Sequence, residues 1–80
     1  MRKSVHSEGL KAFCRVMAEA RARVGLTQQK LAKRLKKHQS FVAKYEGGER
    51  RIDVLEFITI AGAMGEDPVS LLRALVRRLK

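Results

Sequence analysis

Cysteine and large aromatic side chains are scarce in this 80-residue chain. It has one cysteine, three phenylalanines, one tyrosine and no tryptophan. A single thiol excludes an internal disulfide and favours a reducing cytoplasm. The first residues carry no apolar run of signal-peptide length, and no run reaches the roughly 18 residues of a membrane span. We therefore expect one small cytoplasmic domain, with a core too small to surround a deep catalytic pocket.

Residues that carry catalytic or metal chemistry are equally sparse. No Ser-His-Asp set, paired carboxylates or phosphate-binding loop is present. His6 and His38 are far apart in the sequence, and Cys14 lies on an apolar helical stripe, where core packing is its expected role. These patterns predict no enzyme activity, no cofactor and no metal site.

Positive charge, by contrast, is abundant and unevenly distributed. The formal net charge is +10 and the pI is about 10.7. Residues 28–51 hold eight lysines and arginines against two glutamates, whereas residues 53–72 hold four acidic residues and no lysine or arginine. This pattern favours a folded domain with one basic face that binds a polyanion, rather than a disordered basic tail.

Capping signals divide the chain into five helices. Ser, Thr or Asp stands where three helices would begin, Asp-Pro opens the last, and glycine ends several of them. No strand pattern is found, so we predict an all-α five-helix bundle over residues 8–80, preceded by a flexible basic lead over residues 1–7. The predicted helix limits are Ser7 to Gly25, Thr27 to about 35, Gln39 or Ser40 to Tyr45 or Glu46, Asp53 to Gly65, and Asp67-Pro68 to about Leu79.

Apolar residues at helical spacing predict which faces are buried. Each of the five helices has one such stripe, and none is apolar on all sides. The residues predicted to face inward are Leu10, Phe13, Cys14, Met17, Ala20, Leu31, Ala32, Leu35, Val42, Tyr45, Val54, Phe57, Ile60, Ala61, Met64, Leu71, Leu72 and Leu75.

Residues 28–46 form the most informative stretch. They read as two short, largely basic helices joined by a turn at Lys36-Lys37-His38, which is the pattern of a DNA-binding helix-turn-helix. Glycine commonly serves in such turns because one residue needs positive φ, and lysine there would cost about 1 kcal/mol. The second helix would enter the major groove.

The ordered motif resembles the helix-turn-helix family of phage repressors and Cro-type bacterial regulators, also called the XRE family. The resemblance is carried by LTQQxLA at 26–32, QSFVxKYExGERRxD at 39–53, EF at 56–57 and IAxAMG at 60–65, where x is any residue, and it covers roughly residues 10–72. It implies a five-helix domain in which helices two and three bind DNA. It also implies an ion pair between Arg21 and Glu46, and a phosphate-clamp role for Gln28.

Candidate DNA contacts follow from the exposed face of the second helix of the motif. Glutamine suits adenine, lysine suits guanine, and an apolar group suits a thymine methyl. Ser40 has a second interpretation as a helix cap, and Phe41 as a packing residue. The predicted base contacts are Gln39, Ser40, Phe41, Ala43 and Lys44. The predicted phosphate contacts are Gln28, Lys30, Lys36, Lys37, His38, Arg50 and Arg51.

The fifth helix is the candidate dimer surface, because part of its apolar stripe has nothing intramolecular to cover it. The predicted interface comprises Leu72, Leu75, Val76 and Leu79, of which the first two can also face the core. The leading hypothesis is a nucleoid-associated homodimeric regulator, expected to be a repressor, that binds a pseudo-palindromic operator in double-stranded DNA. Two alternatives stay open: an antitoxin-type module with a toxin partner, and non-specific binding of RNA or a membrane surface.

Overall fold

Five α-helices follow one another along residues 7–80, the part of the chain that the computed structural model describes. They are α1 (Glu8–Arg23), α2 (Gln28–Leu35), α3 (Gln39–Glu46), α4 (Val54–Met64) and α5 (Pro68–Arg78). The predicted all-α fold is confirmed. Apart from Ser7, the predicted basic lead lies outside the described residues. None of the helices from residue 7 onward has the length and apolar content needed to cross a membrane.

Side-chain caps explain where four of the five helices begin. Ser7, Thr27 and Asp67 each accept a hydrogen bond from a backbone amide three residues further on, at 3.0–3.2 Å. Asp53 and Glu56 form a reciprocal capping box at the start of α4. Each cap satisfies amides that the helix itself leaves unbonded. Helix α3 differs, because its cap position is occupied by His38, whose side chain makes no capping hydrogen bond.

Four helices end in the same left-handed turn. After α2, the Lys37 amide donates to the Ala32 carbonyl at 2.9 Å, and the Lys36 amide donates to the Lys33 carbonyl at 3.1 Å. These two bonds define a Schellman ending, in which one residue takes positive φ. Lys36 takes it here, at φ 57°, and among residues 7–80 it is the one non-glycine residue with positive φ. Glycine holds the same position in the other three turns, at Gly25, Gly48 and Gly65.

All five helices contribute buried residues to one core. Met17, Leu31, Val42, Tyr45 and Ile60 are its largest fully buried side chains. Helix α2 packs on α3 and α4, and α1 packs on α3 and α5. The helix-turn-helix formed by α2 and α3 therefore packs on α4 through α2 and on α1 through α3. Two helices this short need such neighbours because they bury too little surface alone.

Two apolar residues that we predicted to face inward lie at the surface instead. Val54 is 70% exposed and Leu72 is 51% exposed. Val54 is the first residue of α4 and shares its outward face with Ile58, four residues on, which is 47% exposed. Leu72 follows the buried Leu71, so one of the two neighbours had to turn outward. Val16 and Leu26, which were not predicted as core residues, are buried.

Candidate nucleic-acid interface

Helix α3 has one buried and one exposed face. Val42 and Tyr45 are at most 1% exposed and anchor the helix to the core. The side chains of Gln39, Ser40 and Lys44, three of the predicted base contacts, are exposed to solvent. This division leaves the amino end of α3 and one of its sides open to an incoming partner.

Phe41 and Ala43, the two apolar residues among the predicted base contacts, are half-buried. The Phe41 ring packs edge-on against Tyr45, with 5.4 Å between ring centroids, and it contacts the core. Two cations approach the same ring. Lys37 Nζ lies 5.3 Å and Arg50 Cζ 4.8 Å from its centroid, both within cation–π range. Phe41 therefore joins the recognition helix to the loop after it.

Gln28 and Gln39 lie together at the start of the helix-turn-helix. Gln39 Nε2 is 3.5 Å from Gln28 Oε1, and Gln28 Nε2 donates to Glu46 Oε1 at 3.0 Å. The carboxylate accepts only, so it fixes which end of the Gln28 amide faces Gln39. Gln39 thus keeps its carbonyl oxygen and one N–H available for a base edge.

Arg21 and Glu46 form the expected ion pair. Arg21 Nε donates to Glu46 Oε2 at 2.7 Å and Arg21 Nη2 donates to Oε1 at 3.0 Å, while Nη1 donates to the Leu26 carbonyl at 2.8 Å. The two side chains are 18% and 7% exposed. Hydrogen bonding to Glu46 raises the pKa of Arg21. The pair fixes the carboxyl end of α3 to α1 with fork geometry.

Cys14 also contacts the carboxyl end of α3. Its thiol donates to the Tyr45 carbonyl at 3.2 Å, and burial raises the pKa of the thiol. A thiol with a raised pKa is a poor nucleophile, which agrees with the packing role expected for it. Burial likewise raises the pKa of Tyr45, whose hydroxyl is buried without a hydrogen-bond partner in the described structure. No cluster of metal-ligating residues occurs within residues 7–80.

The predicted phosphate contacts fall into two groups. Lys30, Lys36, Lys37 and His38 are exposed on α2 and on the turn that precedes α3, and Arg51 is exposed in the loop after it. The charge of Arg50, by contrast with the lysines of α2 and the turn, is matched by an ion pair within residues 7–80. Its Nη1 and Nη2 atoms donate to the two carboxylate oxygens of Glu56 at 3.2 and 3.0 Å.

Sequence reasoning missed Glu56 as part of this site. The signal was present, since Asp53-x-x-Glu56 is a capping-box pattern. That pattern places the Glu56 carboxylate beside the loop residues that precede the helix. Arg50 Nη1 also donates to the Arg51 carbonyl at 2.9 Å, which turns its side chain back toward α4.

Comparison with known proteins places this arrangement in a family. Residues 17–71 match the family model described as Helix-turn-helix. A solved XRE-family like protein from Pseudomonas syringae pv. tomato str. DC3000 is 42% identical, with 92% of this chain and 90% of that chain covered and a TM-score of 0.83. The chain belongs to the XRE family of helix-turn-helix proteins. The predicted family is thereby confirmed, and with it a role as a DNA-binding regulator of transcription.

Other similar structures are controller proteins of restriction-modification systems. C.AhdI from Aeromonas hydrophila is 26% identical, with 88% of this chain and 99% of that chain covered and a TM-score of 0.75. The C.Esp1396I tetramer in complex with its natural 35 base-pair operator is 21% identical, with 94% and 100% covered and a TM-score of 0.83. The second likeness shows the shared fold alone. No curated protein matches the chain.

Proposed function

We propose that this XRE-family protein is a homodimeric repressor that places α3 in the major groove of a pseudo-palindromic operator. The observation that carries the proposal is the division of α3 described above. Val42 and Tyr45 hold the helix against the core, and Gln39, Ser40 and Lys44 point away from it. A recognition helix needs this arrangement, since base edges are read by the residues of its first turns and exposed side.

Base reading and phosphate binding divide between two sets of residues. Gln39 can donate to adenine N7 and accept from N6, and Lys44 suits guanine O6 and N7. Ser40, Phe41 and Ala43 complete the proposed base-contacting surface. The proposed phosphate contacts are Gln28, Lys30, Lys36, Lys37, His38 and Arg51.

A second copy of the chain is the proposed occupant of the apolar face of α4 and α5. Val54 and Leu72 line one apolar groove of about 170 Å³, with Leu71 and Leu75 at its base. Seven apolar side chains from α4, from α5 and from the residue that follows α5 are 45–74% exposed. They are Val54, Leu55, Ile58, Val69, Leu72, Val76 and Leu79. We therefore propose that the interface predicted on α5, which also included Leu75, extends onto α4.

Two-fold pairing through this face would present two recognition helices to DNA. Half-sites about 34 Å apart, one helical turn, would then be read together. A relative solved as a tetramer on a 35 base-pair operator supports an oligomer on DNA. A single recognition helix reads too few base pairs to be selective in a genome, so dimerisation supplies specificity as well as affinity.

Selection of bound duplexes from a random library tests the DNA proposal. We expect a recovered motif with two inverted half-sites, followed by binding to that motif at about 150 mM salt at least about a thousandfold tighter than to a scrambled duplex. Equal affinity for the selected and scrambled duplexes would contradict sequence-specific binding. A promoter fused to the motif should be silenced when the protein is expressed, and activation instead would contradict the repressor assignment.

A matched pair of variants separates base contacts from phosphate contacts. Gln39→Ala should lose about 1–3 kcal/mol of discrimination at one or two base pairs per half-site, with the salt dependence unchanged. Lys30→Ala should weaken binding to all duplexes alike and reduce the salt slope by about 0.9 for each phosphate that is no longer neutralised. If both variants weakened all duplexes equally, the proposed division of roles would be wrong.

Sedimentation equilibrium tests the dimer surface. Leu72→Glu and Leu55→Glu should each shift the protein toward monomer, because a charge would be buried in an apolar interface. Val24→Glu is the matched control, since Val24 is also an exposed apolar residue, at 37%, but lies outside α4 and α5. Dissociation by the control alone would place the interface elsewhere.

A further inference from the structure

Arg50, in the loop after α3, is held by several contacts within the protein. Its guanidinium makes a two-point ion pair with Glu56, donates to the Arg51 carbonyl and lies 4.8 Å from the Phe41 ring centroid. Three of its five N–H groups are thereby engaged within the protein. Lys37 lies over the same ring at 5.3 Å but forms no ion pair within residues 7–80.

Glu56 determines where the Arg50 guanidinium lies. The same carboxylate accepts the Asp53 amide at 2.9 Å, so its position is fixed by the first turn of α4. Arg50 therefore joins two rigid elements, the start of α4 and the Phe41 ring on α3. Hydrogen bonding to Arg50 lowers the pKa of Glu56, so the carboxylate is charged at neutral pH. Moving Arg50 onto a phosphate would leave this carboxylate close to DNA without its counter-charge.

We propose that Arg50 is a positioning residue that holds Phe41 and the recognition helix against α4, and that it does not bind a DNA phosphate. This inference rests on the proposed DNA-binding function and revises the phosphate role predicted for Arg50. The angle at which α3 meets the groove then depends on the Phe41–Arg50–Glu56 contact. The aromatic face needs a planar cation and the carboxylate needs a two-point donor, and arginine supplies both.

Three variants of the full-length chain test the proposal. Arg50→Ala should weaken binding to the selected operator by about threefold to fivefold, the range expected for removal of a cation–π interaction at an exposed site. Its salt slope on random duplex DNA should equal that of the wild type. Arg50→Lys keeps the charge but lacks the planar fork, so it should behave like Arg50→Ala. Lys37→Ala is the matched control and should reduce the salt slope by about 0.9.

Glu56→Gln examines the other half of the contact. Glutamine still serves in a capping box, so α4 keeps its start while the ion pair is removed. We expect a lower ratio of operator to random-duplex affinity, and the double variant Arg50→Ala/Glu56→Gln should lower that ratio no further than either single change. If Arg50 instead bound a phosphate, Glu56→Gln would release it, and both the random-duplex affinity and the salt slope would increase.

Nuclear magnetic resonance supplies a readout that does not require sequence preference. Cross-peaks between the Phe41 ring and the Arg50 side chain should persist when duplex DNA of any sequence is added. Their disappearance, a lower salt slope for Arg50→Ala, or wild-type behaviour of Arg50→Lys would each overturn the proposal. Failure of the proposed function has a different signature, which is equal affinity of the wild type for the selected and random duplexes.

Discussion

The two ends of α3, the proposed recognition helix, are built in opposite ways. At the carboxyl end, Arg21 and Gln28 both donate hydrogen bonds to Glu46. The Tyr45 carbonyl accepts a hydrogen bond from the Cys14 thiol, and Gly48 closes a Schellman turn. At the amino end, the cap position makes no side-chain hydrogen bond, and the preceding turn depends on a lysine with positive φ.

The contacts that stabilise α3 therefore lie at its carboxyl end, and the groups proposed to bind DNA lie at its amino end, about two turns away. The carboxyl end faces the core, where unsatisfied groups are costly and every carbonyl needs a partner. The amino end faces solvent, and its unbonded amides and positive helix dipole favour an anion such as phosphate. We infer that the amino end is left uncapped because its partner is DNA, and the His38 and Lys36 variants described below test that interpretation.

Breaking the carboxyl end should have the largest effect. Glu46→Ala leaves the Arg21 guanidinium without its carboxylate in a largely buried position, so the free energy of unfolding should fall by about 3 kcal/mol. Urea denaturation measures this fall in the free energy of unfolding. The control Arg21→Met/Glu46→Leu removes both charges and should recover most of the loss. Equal instability of the single and double variants would show that packing, and not an uncompensated charge, dominates this end.

Capping the amino end should stabilise the protein at the expense of binding. The Phe41 amide already donates to the His38 carbonyl at 3.0 Å, so the hydroxyl of His38→Ser should accept chiefly from the Ser40 amide. This cap should add about 1 kcal/mol to the free energy of unfolding. His38→Asp should stabilise similarly, and its carboxylate should weaken DNA binding more than serine does. A thermal melt and a fluorescence titration of both variants measure the two effects. A serine variant that is no more stable than the wild type would mean that the first amides of α3 already have other hydrogen-bond partners.

Relieving the lysine turn should have a smaller effect. Lys36→Gly removes the cost of a left-handed non-glycine residue but increases the entropy of the unfolded chain, for a net gain of about 0.5 kcal/mol. Lys36→Ala removes the same charge without relieving the turn, so it isolates the phosphate contact. Both variants should weaken DNA binding equally. Unequal weakening would show that the turn geometry, not the charge, contributes to binding.

The smallest expected effect is on the pH dependence of stability. Glu56 has its pKa lowered from 4.5 in the folded protein, chiefly by hydrogen bonding to Arg50. The unfolded chain therefore binds a proton first as the pH falls, and this contribution to stability is lost below about pH 4.5. Urea midpoints between pH 6 and pH 3 should consequently fall less for Glu56→Gln than for the wild type. Parallel curves would show that the exposed pair adds nothing.

Local signals predicted the helix limits well because the signals are themselves local. Ser7, Thr27, Asp53 and Asp67 each cap a helix through an amide three residues away, a relation that is visible in the sequence. The strained turn was predicted for the same reason, since a Schellman ending requires positive φ at one position and Lys36 occupies it.

Residues whose surroundings come from distant elements were predicted less well. The exposure of Val54 and Leu72 depends on how α4 and α5 rotate against the bundle, and periodicity does not determine that angle at the edge of a stripe. The Arg50–Glu56 pair depends on the path of the loop between α3 and α4. The contact between Lys37, Phe41 and Arg50 likewise depends on side-chain directions that no spacing rule specifies.

The packing of α5 against α1 has a consequence for the order of events during synthesis. Only two of the five main helix pairings, α2 with α3 and α4 with α5, join helices that are consecutive in the sequence, and such local pairings form quickly. The pairing of α1 with α5 spans the longest stretch of chain, because α5 begins at Pro68 and brings the core residue Leu71 with it. A nascent chain that has emerged only as far as Gly65 has α3 to pack on α1 but lacks α5. We therefore expect stable tertiary structure to be acquired in one late step, when the last helix leaves the ribosome.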